Sequence, residues 1–374
     1  MDDGWFGNGP YSRDDDKHGL GDWDPSTKKL PKGLSYIAKE ALKRKVGFGI
    51  WLEPEMVNPQ SELYQKHPDW IITQPKREPI LGRHQEILDL TRPEVQAFEW
   101  DIIDKTLRPN PDITYVKWDC NRYITQPGSS YLQPADQSHL WIDYNWALYR
   151  LMDRLAKGFP NVMAMLCAGG SGRVDYGAMS YFHSFWPSDN TDPLGRIKIQ
   201  WGFSHFFPAN TISAHVTRMG KRHLKMAIDV ALSGAFGIDL ALDKATAEER
   251  AQIADAVKLY KERIRPLVMH GELYRLVSPY ESPLASLSYV STDKQKAVVY
   301  FYQTKDGNEP RVKLGGLDAH KKYRVEEVSL AKGVASRFPA NGKVFTGAEL
   351  MEKGLENPLN TQFESAVLIL IANN

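Results

Sequence analysis

Cysteine is scarce in this chain. Cys120 and Cys167 are the two in 374 residues, which excludes a disulfide framework and a zinc cluster built on thiolates. No run of about 18 apolar residues occurs, so no segment reads as a membrane-spanning helix. Neither sign of charge dominates: 47 Lys and Arg stand against 46 Asp and Glu, for a net +1. That balance argues against nucleic acid or an anionic membrane as a partner. The ten histidines are scattered, none at ligand spacing, so neither a metal nor another cofactor is expected. Met1 is followed at once by Asp2-Asp3-Gly4-Trp5 and not by a basic and then apolar leader. The cytoplasm is therefore favoured, with a leader further upstream in a longer protein as the alternative.

What is present is a large hydrophobic share, 42%, with 10 Trp, 17 Tyr and 14 Phe. That is enough for one large domain and a smaller one. Pro31 starts a helical pattern with Leu34, Ile37, Ala38, Ala41 and Leu42 on one face, and the apolar run 46–52 then breaks at Glu53-Pro54-Glu55. Residues 58–89 form a proline-rich polar excursion too long for an idle connection. Pro93 opens a helix whose apolar face is Val95, Phe98, Ile102 and Leu107. A third helix over 138–157 carries Trp141, Tyr144, Leu148, Leu151 and Leu155, a fourth starts near Pro193, and a fifth is expected over 221–232. Thr246-Ala247-Glu248-Glu249 is a capping box opening a helix to about Ile264. Between the helices lie six expected strands, near residues 47, 116, 163, 184, 213 and 239. Alternation of strand, loop and helix predicts a parallel sheet. From about Gly271 the texture changes to short alternating segments, which read as an all-β module.

One stretch organises the rest: Tyr115-Val116-Lys117-Trp118-Asp119-Cys120-Asn121-Arg122. Side chains alternate along a strand, so Lys117 and Asp119 share a face and Trp118 takes the other. A structural ion pair is the bland reading of such a spacing. In a parallel α/β chain, however, loops at the carboxyl ends of strands build the site. Three further stretches fall at such ends: Trp51 to Pro59, the glycine-rich run Cys167 to Asp175, and Trp186 to Asp192. In the last, Asp192 is suited to cap the helix at Pro193, which leaves Asp189 for chemistry. Two separated aspartates with aromatic walls point to glycoside cleavage, where one carboxyl attacks or activates water and the other protonates the leaving oxygen.

These stretches occur in one order together with Asp2-Asp3-Gly4-Trp5-Phe6-Gly7 and Gly82-Arg83 to Leu90. The set resembles the α-galactosidases of glycoside hydrolase family 36 over about residues 1 to 245, and the β-rich tail fits that family's C-terminal sandwich. The resemblance implies an α/β fold, a (β/α)8-type barrel over 1–268 with about six strands present, followed by a C-terminal antiparallel β-sandwich over 269–374. It also implies a retaining exo-α-galactosidase acting on melibiose- and raffinose-type oligosaccharides by double displacement. Asp119 is then the nucleophile and Asp189 the acid/base. Asp2 and Asp3 accept from the galactose O4 and O6 hydroxyls, and Trp51 is an apolar wall. Arg83 and Lys117 donate to sugar hydroxyls and the nucleophile, and Asn121, Cys167 and Gly170 line the O2 side. Glu53 and Glu55 have no catalytic role in the family and read as supporting residues.

The sequence departs from the family in two places. The loop Cys167-Ala168-Gly169-Gly170-Ser171-Gly172 is less glycine-rich than the family's, which keeps α-N-acetylgalactosaminidase activity as an alternative; a transglycosylase of the same fold is another. The family's N-terminal β-sandwich and first two barrel strands are missing before Asp2-Asp3-Gly4-Trp5, so a fragment with Met1 as an internal residue is expected. An inactive sugar-binding piece is the alternative from a different class, and assembly into homo-oligomers is left to the full-length protein.

Overall fold

A computed structural model describes residues 1–221, 223–330 and 333–373. Helix α1 (Gly33–Lys43) buries Leu34 and Ala38, while Leu42 at the edge of the expected stripe is half exposed. Strand β1 (Phe48–Leu52) follows. The long excursion after it is structured: β2 (Met56–Val57), the short helix α2 (Glu62–Lys66) capped by Ser61, and β3 (Glu86–Ile87), which pairs antiparallel with β2 and closes the loop. Helix α3 (Pro93–Leu107) has Pro at its first turn, where a missing N–H costs nothing. It returns the chain to β4 (Ile113–Trp118). Helix α4 (Leu140–Gly158) buries Leu140, Tyr144, Leu148, Leu151 and Leu155. Trp141 lies one residue, about 100°, off that stripe and is half exposed, contrary to the expected apolar face. Strands β5 (Met163–Leu166) and β6 (Ser184–Phe185) complete a four-stranded parallel sheet in the order β1-β4-β5-β6.

The chain divides into two compact units, Met1–Trp186 and Pro187–Asn374. The second begins with α5 (Pro193–Phe206), whose N-cap is Asp192, its carboxylate accepting from Gly195 N–H at 3.3 Å. Strand β7 (Ser213–Val216), helix α6 (Leu224–Ala231) and strand β8 (Ala235–Ile238) come next, with β7 and β8 parallel. Of the helix expected over 221–232, residue 222 lies outside the described residues. Among the described residues six strands pair in parallel, matching the six read from the sequence, the last starting two residues earlier. Helix α7 (Ala247–Leu259) starts with the expected capping box. It passes through one π turn, Tyr260–Ile264, into α8 (Arg265–His270), where Pro266 can donate no N–H to a continuous ladder.

The remaining strands are β9 (Glu272–Val277), β10 (Leu284–Val290), β11 (Lys296–Gln303), β12 (Arg311–Val312), β13 (Lys322–Glu327), β14 (Val344–Thr346), β15 (Leu355–Glu356) and β16 (Ser365–Asn373). Helix α9 (Gly347–Glu352) follows β14. Six of them form one antiparallel sheet, β14-β13-β16-β11-β10-β9, and β12 pairs with β15. The fold class is thus α/β of the (β/α)8-barrel type followed by an antiparallel β module. Strand β11 is buried on both faces: Val298, Tyr300 and Tyr302 pack toward α6 and α8, and Val299 and Phe301 toward the opposite layer. The tyrosine hydroxyls are satisfied by orphan carbonyls at the end of α6, Tyr300 on Leu232 at 2.8 Å and Tyr302 on Asp229 at 3.0 Å. Among the described residues no helix is long and apolar enough to cross a membrane.

Because Thr246 satisfies the N–H of Glu249 and receives the reciprocal bond from its side chain, Thr246→Ala is expected to lower stability by about 1 kcal/mol. Urea titration should show an earlier midpoint with an unchanged slope.

Candidate active site

Strand register builds the site. Leu52 of β1 lies opposite Trp118 of β4, and Trp118 opposite Leu166 of β5, which in turn lies opposite Phe185 of β6. The ladder runs one residue further: Asp119 N–H donates to Leu52 O at 2.7 Å, Cys167 N–H to Trp118 O at 2.8 Å, and Trp186 N–H to Leu166 O at 3.0 Å. Glu53, Asp119, Cys167 and Trp186 therefore stand side by side at the carboxyl edge of the sheet. One step back, Trp51 is opposite Lys117. Both project on the Asp119 face, as the alternation of side chains requires.

Asp119 is almost entirely buried, and a buried carboxylate needs donors. Its Oδ2 accepts from Trp51 Nε1 at 3.0 Å and lies 3.9 Å from Lys117 Nζ, while Oδ1 accepts from Cys120 N–H at 2.8 Å. Burial opposes the charge on Lys117, but Asp2 and Asp119 together outweigh it and raise its pKa. Burial also pushes the Cys167 thiol well up, helped by the negative charge of Asp119, so the thiol stays protonated and faces the carboxylate as a donor.

The N-terminal segment lies along β1. Met1 donates to Gly49 O at 2.7 Å and its carbonyl accepts from Trp51 N–H at 3.1 Å. That pairing sets Asp2 Oδ2 3.4 Å from Lys117 Nζ, with the Asp2 side chain mostly exposed. Asp3 is held by a residue the sequence reading did not single out. Arg13, nearly fully buried, makes a bidentate contact with Asp3 at 2.7 and 3.0 Å and also reaches Asn58 Oδ1 at 3.1 Å. Its signal in the sequence was an arginine leading the acidic run Asp14-Asp15-Asp16. Trp51 is stacked among Phe6 and Trp23 and accepts the Trp5 indole N–H at its carbonyl, 2.9 Å.

Asn121 follows Asp119 by two residues, and its N–H donates to Glu53 Oε1 at 2.5 Å. Arg83 is half exposed and lies 3.7 Å from Asp16, in a left-handed backbone conformation. The Cys167–Asp175 loop turns on Gly169 and Gly170, at φ +55° and +96°, conformations that glycine adopts freely. The loop is anchored by Arg173. Its guanidinium lies 2.6 Å from Glu55 and 3.1 Å from Cys120 Sγ. Glu55, fully buried, also accepts from Trp118 Nε1 at 2.9 Å and Tyr144 OH at 2.6 Å. Of the residues expected from the sequence, the structure thus gathers Asp2, Trp51, Lys117, Asp119 and Cys167 closely, with Asp3, Asn121 and Gly170 on the adjoining segments and Arg83 paired outward to Asp16. Asp189 belongs to the second unit. There its charge acts on Arg196 of α5, whose pKa burial lowers to about 10 against the pull of that carboxylate. Among the described residues no cluster of His, Cys, Asp and Glu has metal-ligand geometry.

A barrel-type α/β chain with an aromatic-walled carboxylate site at its strand ends is the class of protein these features define. The Melibiase family profile matches residues 1–271, and that of the glycosyl hydrolase family 36 C-terminal domain matches residues 284–370. The chain belongs to the Melibiase family, within glycoside hydrolase family 36. It is 40% identical to α-galactosidase AgaA of Geobacillus stearothermophilus over 96% of this chain and 48% of that protein. It is 36% identical to α-galactosidase C of Emericella nidulans over 99% of this chain and 48% of that protein. Among solved structures, the family 36 α-galactosidase AgaB of Geobacillus stearothermophilus matches with a TM-score of 0.91 at 40% identity, over 100% of this chain and 50% of that one. A substituted AgaA solved in complex with raffinose matches with a TM-score of 0.91 at 38% identity, over 100% of this chain and 51% of that one. The chain spans about half the length of the curated relatives it matches.

Replacing Arg173 by Met leaves Glu55 buried beside two neutral donors. The expected cost is about 3 to 5 kcal/mol of stability, as for other buried pairs stripped of one partner, read as an earlier denaturant midpoint.

Proposed function

We propose that the protein is a retaining exo-α-galactosidase that removes terminal α-galactosyl residues from melibiose- and raffinose-type oligosaccharides. The observation that carries this reading is Asp119, a carboxylate at the end of β4 held by Trp51 Nε1 with Lys117 beside it, in a chain of the Melibiase family. The raffinose complex of a structural neighbour supports the substrate class. The division into a catalytic barrel over 1–268 and a β-sandwich over 269–374 is part of the same proposal, supported by family matches that end at 271 and begin at 284.

In the proposed mechanism Asp119 attacks the anomeric carbon. The carbon–oxygen bond to the leaving group breaks as Asp189 gives that oxygen its proton, leaving a galactosyl ester on Asp119. Asp189, now an anion, takes a proton from water as the water oxygen bonds to the anomeric carbon and frees Asp119. Two displacements restore the α configuration. Asp119 is fit for the first step because its donors hold it as an oriented anion, and the loss of its charge on esterification favours Asp189 as a base. Asp2 and Asp3 accept from O4 and O6 of galactose, Asp3 being oriented by Arg13. Charged acceptors make such bonds worth roughly 1.5 to 3 kcal/mol each. Trp51 is the apolar wall, Arg83 and Lys117 are donors to the sugar, and Asn121, Cys167 and Gly170 line the O2 side.

With nitrophenyl α-galactoside, Asp119→Asn is expected to lower kcat by on the order of 10³-fold or more. Azide should rescue Asp189→Ala by attacking the galactosyl-enzyme. The first sugar released by the unsubstituted protein should be α-galactose, and the N-acetylated substrate should be the poorer one. Unchanged turnover in Asp119→Asn, or β-galactose as first product, would overturn the assignment.

A further inference from the structure

Glu53 is a buried acid that the mechanism above does not use. Its side chain is fully buried at the end of β1, one residue after Leu52, whose carbonyl takes the N–H of Asp119. Oε1 accepts from the N–H of Asn121 at 2.5 Å, and Oε2 meets Gln85 Nε2 at 3.2 Å. Glu55, two residues on, is matched by Arg173, Trp118 and Tyr144. Among the described residues Glu53 has no cation within ion-pair distance. The charged and titratable groups that face it are Asp119 and Cys120 at the end of β4 and Arg83 from the loop that leads to β3, with neutral Asn121 and Gln85 as its bonded partners.

Two buried carboxyls this close to each other cannot both ionise cheaply. Asp119 has an indole N–H, a backbone N–H and an ammonium, whereas Glu53 has neutral donors alone among the described residues: the backbone and side chain of Asn121 and the amide of Gln85. The proton therefore belongs on Glu53. Gln85 is built to take it: its Oε1 is buried with no hydrogen-bond partner among the described residues, and half a turn of the amide brings that oxygen to the acid as an acceptor.

We propose that Glu53 is a positioning residue that acts as a neutral acid in the wall of the site. It seats the Asn121 peptide against β1 and spares Asp119 a second anion beside it. This rests on the reading of Asp119 as nucleophile and Asn121 as a sugar contact. Burial first and the charge of Asp119 second raise its pKa to about 8, in keeping with that geometry. A carboxyl whose folded pKa lies above its unfolded value binds its proton more tightly in the folded protein. It therefore costs nothing below about pH 4.5 and subtracts stability as pH rises toward about 8.

Three measurements on the full chain test the proposal. The infrared spectrum of the unsubstituted protein near pH 6 should contain a protonated-carboxyl stretch that Glu53→Gln lacks. The Tm should fall between about pH 5 and pH 8, and fall by less in Glu53→Gln, whose amide copies the neutral acid. With nitrophenyl α-galactoside, Glu53→Ala should lower kcat about a hundredfold with KM little changed, as expected for a misplaced group, and Glu53→Gln should recover most of that loss. The proposal is overturned by an infrared spectrum that the Gln variant leaves unaltered, by equal pH slopes of Tm, or by a Gln variant no more active than the Ala variant. Should the unsubstituted chain turn over no α-galactoside, the α-galactosidase reading falls, while the infrared and Tm measurements still decide where the proton sits.

Discussion

A single anion, the carboxylate of Asp119, sets the terms for the first unit. It lies nearly out of water at the end of a central strand, so every stabilising group must come from the protein. Register supplies them. Trp51 and Lys117 are opposite each other on adjacent strands, one residue-pair back from the edge, and each reaches the same oxygen. The other oxygen is met by the next peptide N–H. A slip of one residue between β1 and β4 would turn Trp51 to the other face and leave the carboxylate without its indole donor.

Behind this first layer, two glutamates separated by one residue are handled in different ways. Glu55 points to the Trp118 face of the sheet, where Arg173, an indole and a phenol converge on it, tying the glycine-rich loop after β5 to the end of β1. Glu53 points to the Asp119 side and meets one peptide N–H and an amide. Strand β1 ends at Leu52 and the chain turns at Pro54-Glu55, so the strand's alternation is broken between the two glutamates: a paired buried charge and a neutral buried acid face opposite ways, and each supports a different loop of the site.

Much of this was legible from residue order. The six parallel strands announced themselves as apolar runs between helical patterns. Asp192 and Thr246 behaved as the caps their neighbours implied, and Lys117 shares a face with Asp119 as the period of two demands. Other features were not. Trp141 counted as apolar but lies off the buried stripe of α4. Strand β11 is buried on both faces because layers cover it from either side, which alternation alone does not reveal. Arg13 looked like one more charge in an acidic turn until its bidentate grip on Asp3 was seen.

The amino-acid order by itself determined the local elements and the identity of the acids at the strand ends. Capping, proline placement and side-chain alternation depend on residues within about four positions. Tertiary structure decided which of those acids is paired, which is neutral and which loop each one holds. Those outcomes hang on partners such as Trp51 with Asp119, or Glu55 with Tyr144, 68 and 89 positions apart. Strand register and burial bring such partners within hydrogen-bonding range, and desolvation then forces each buried charge to find a donor or keep its proton.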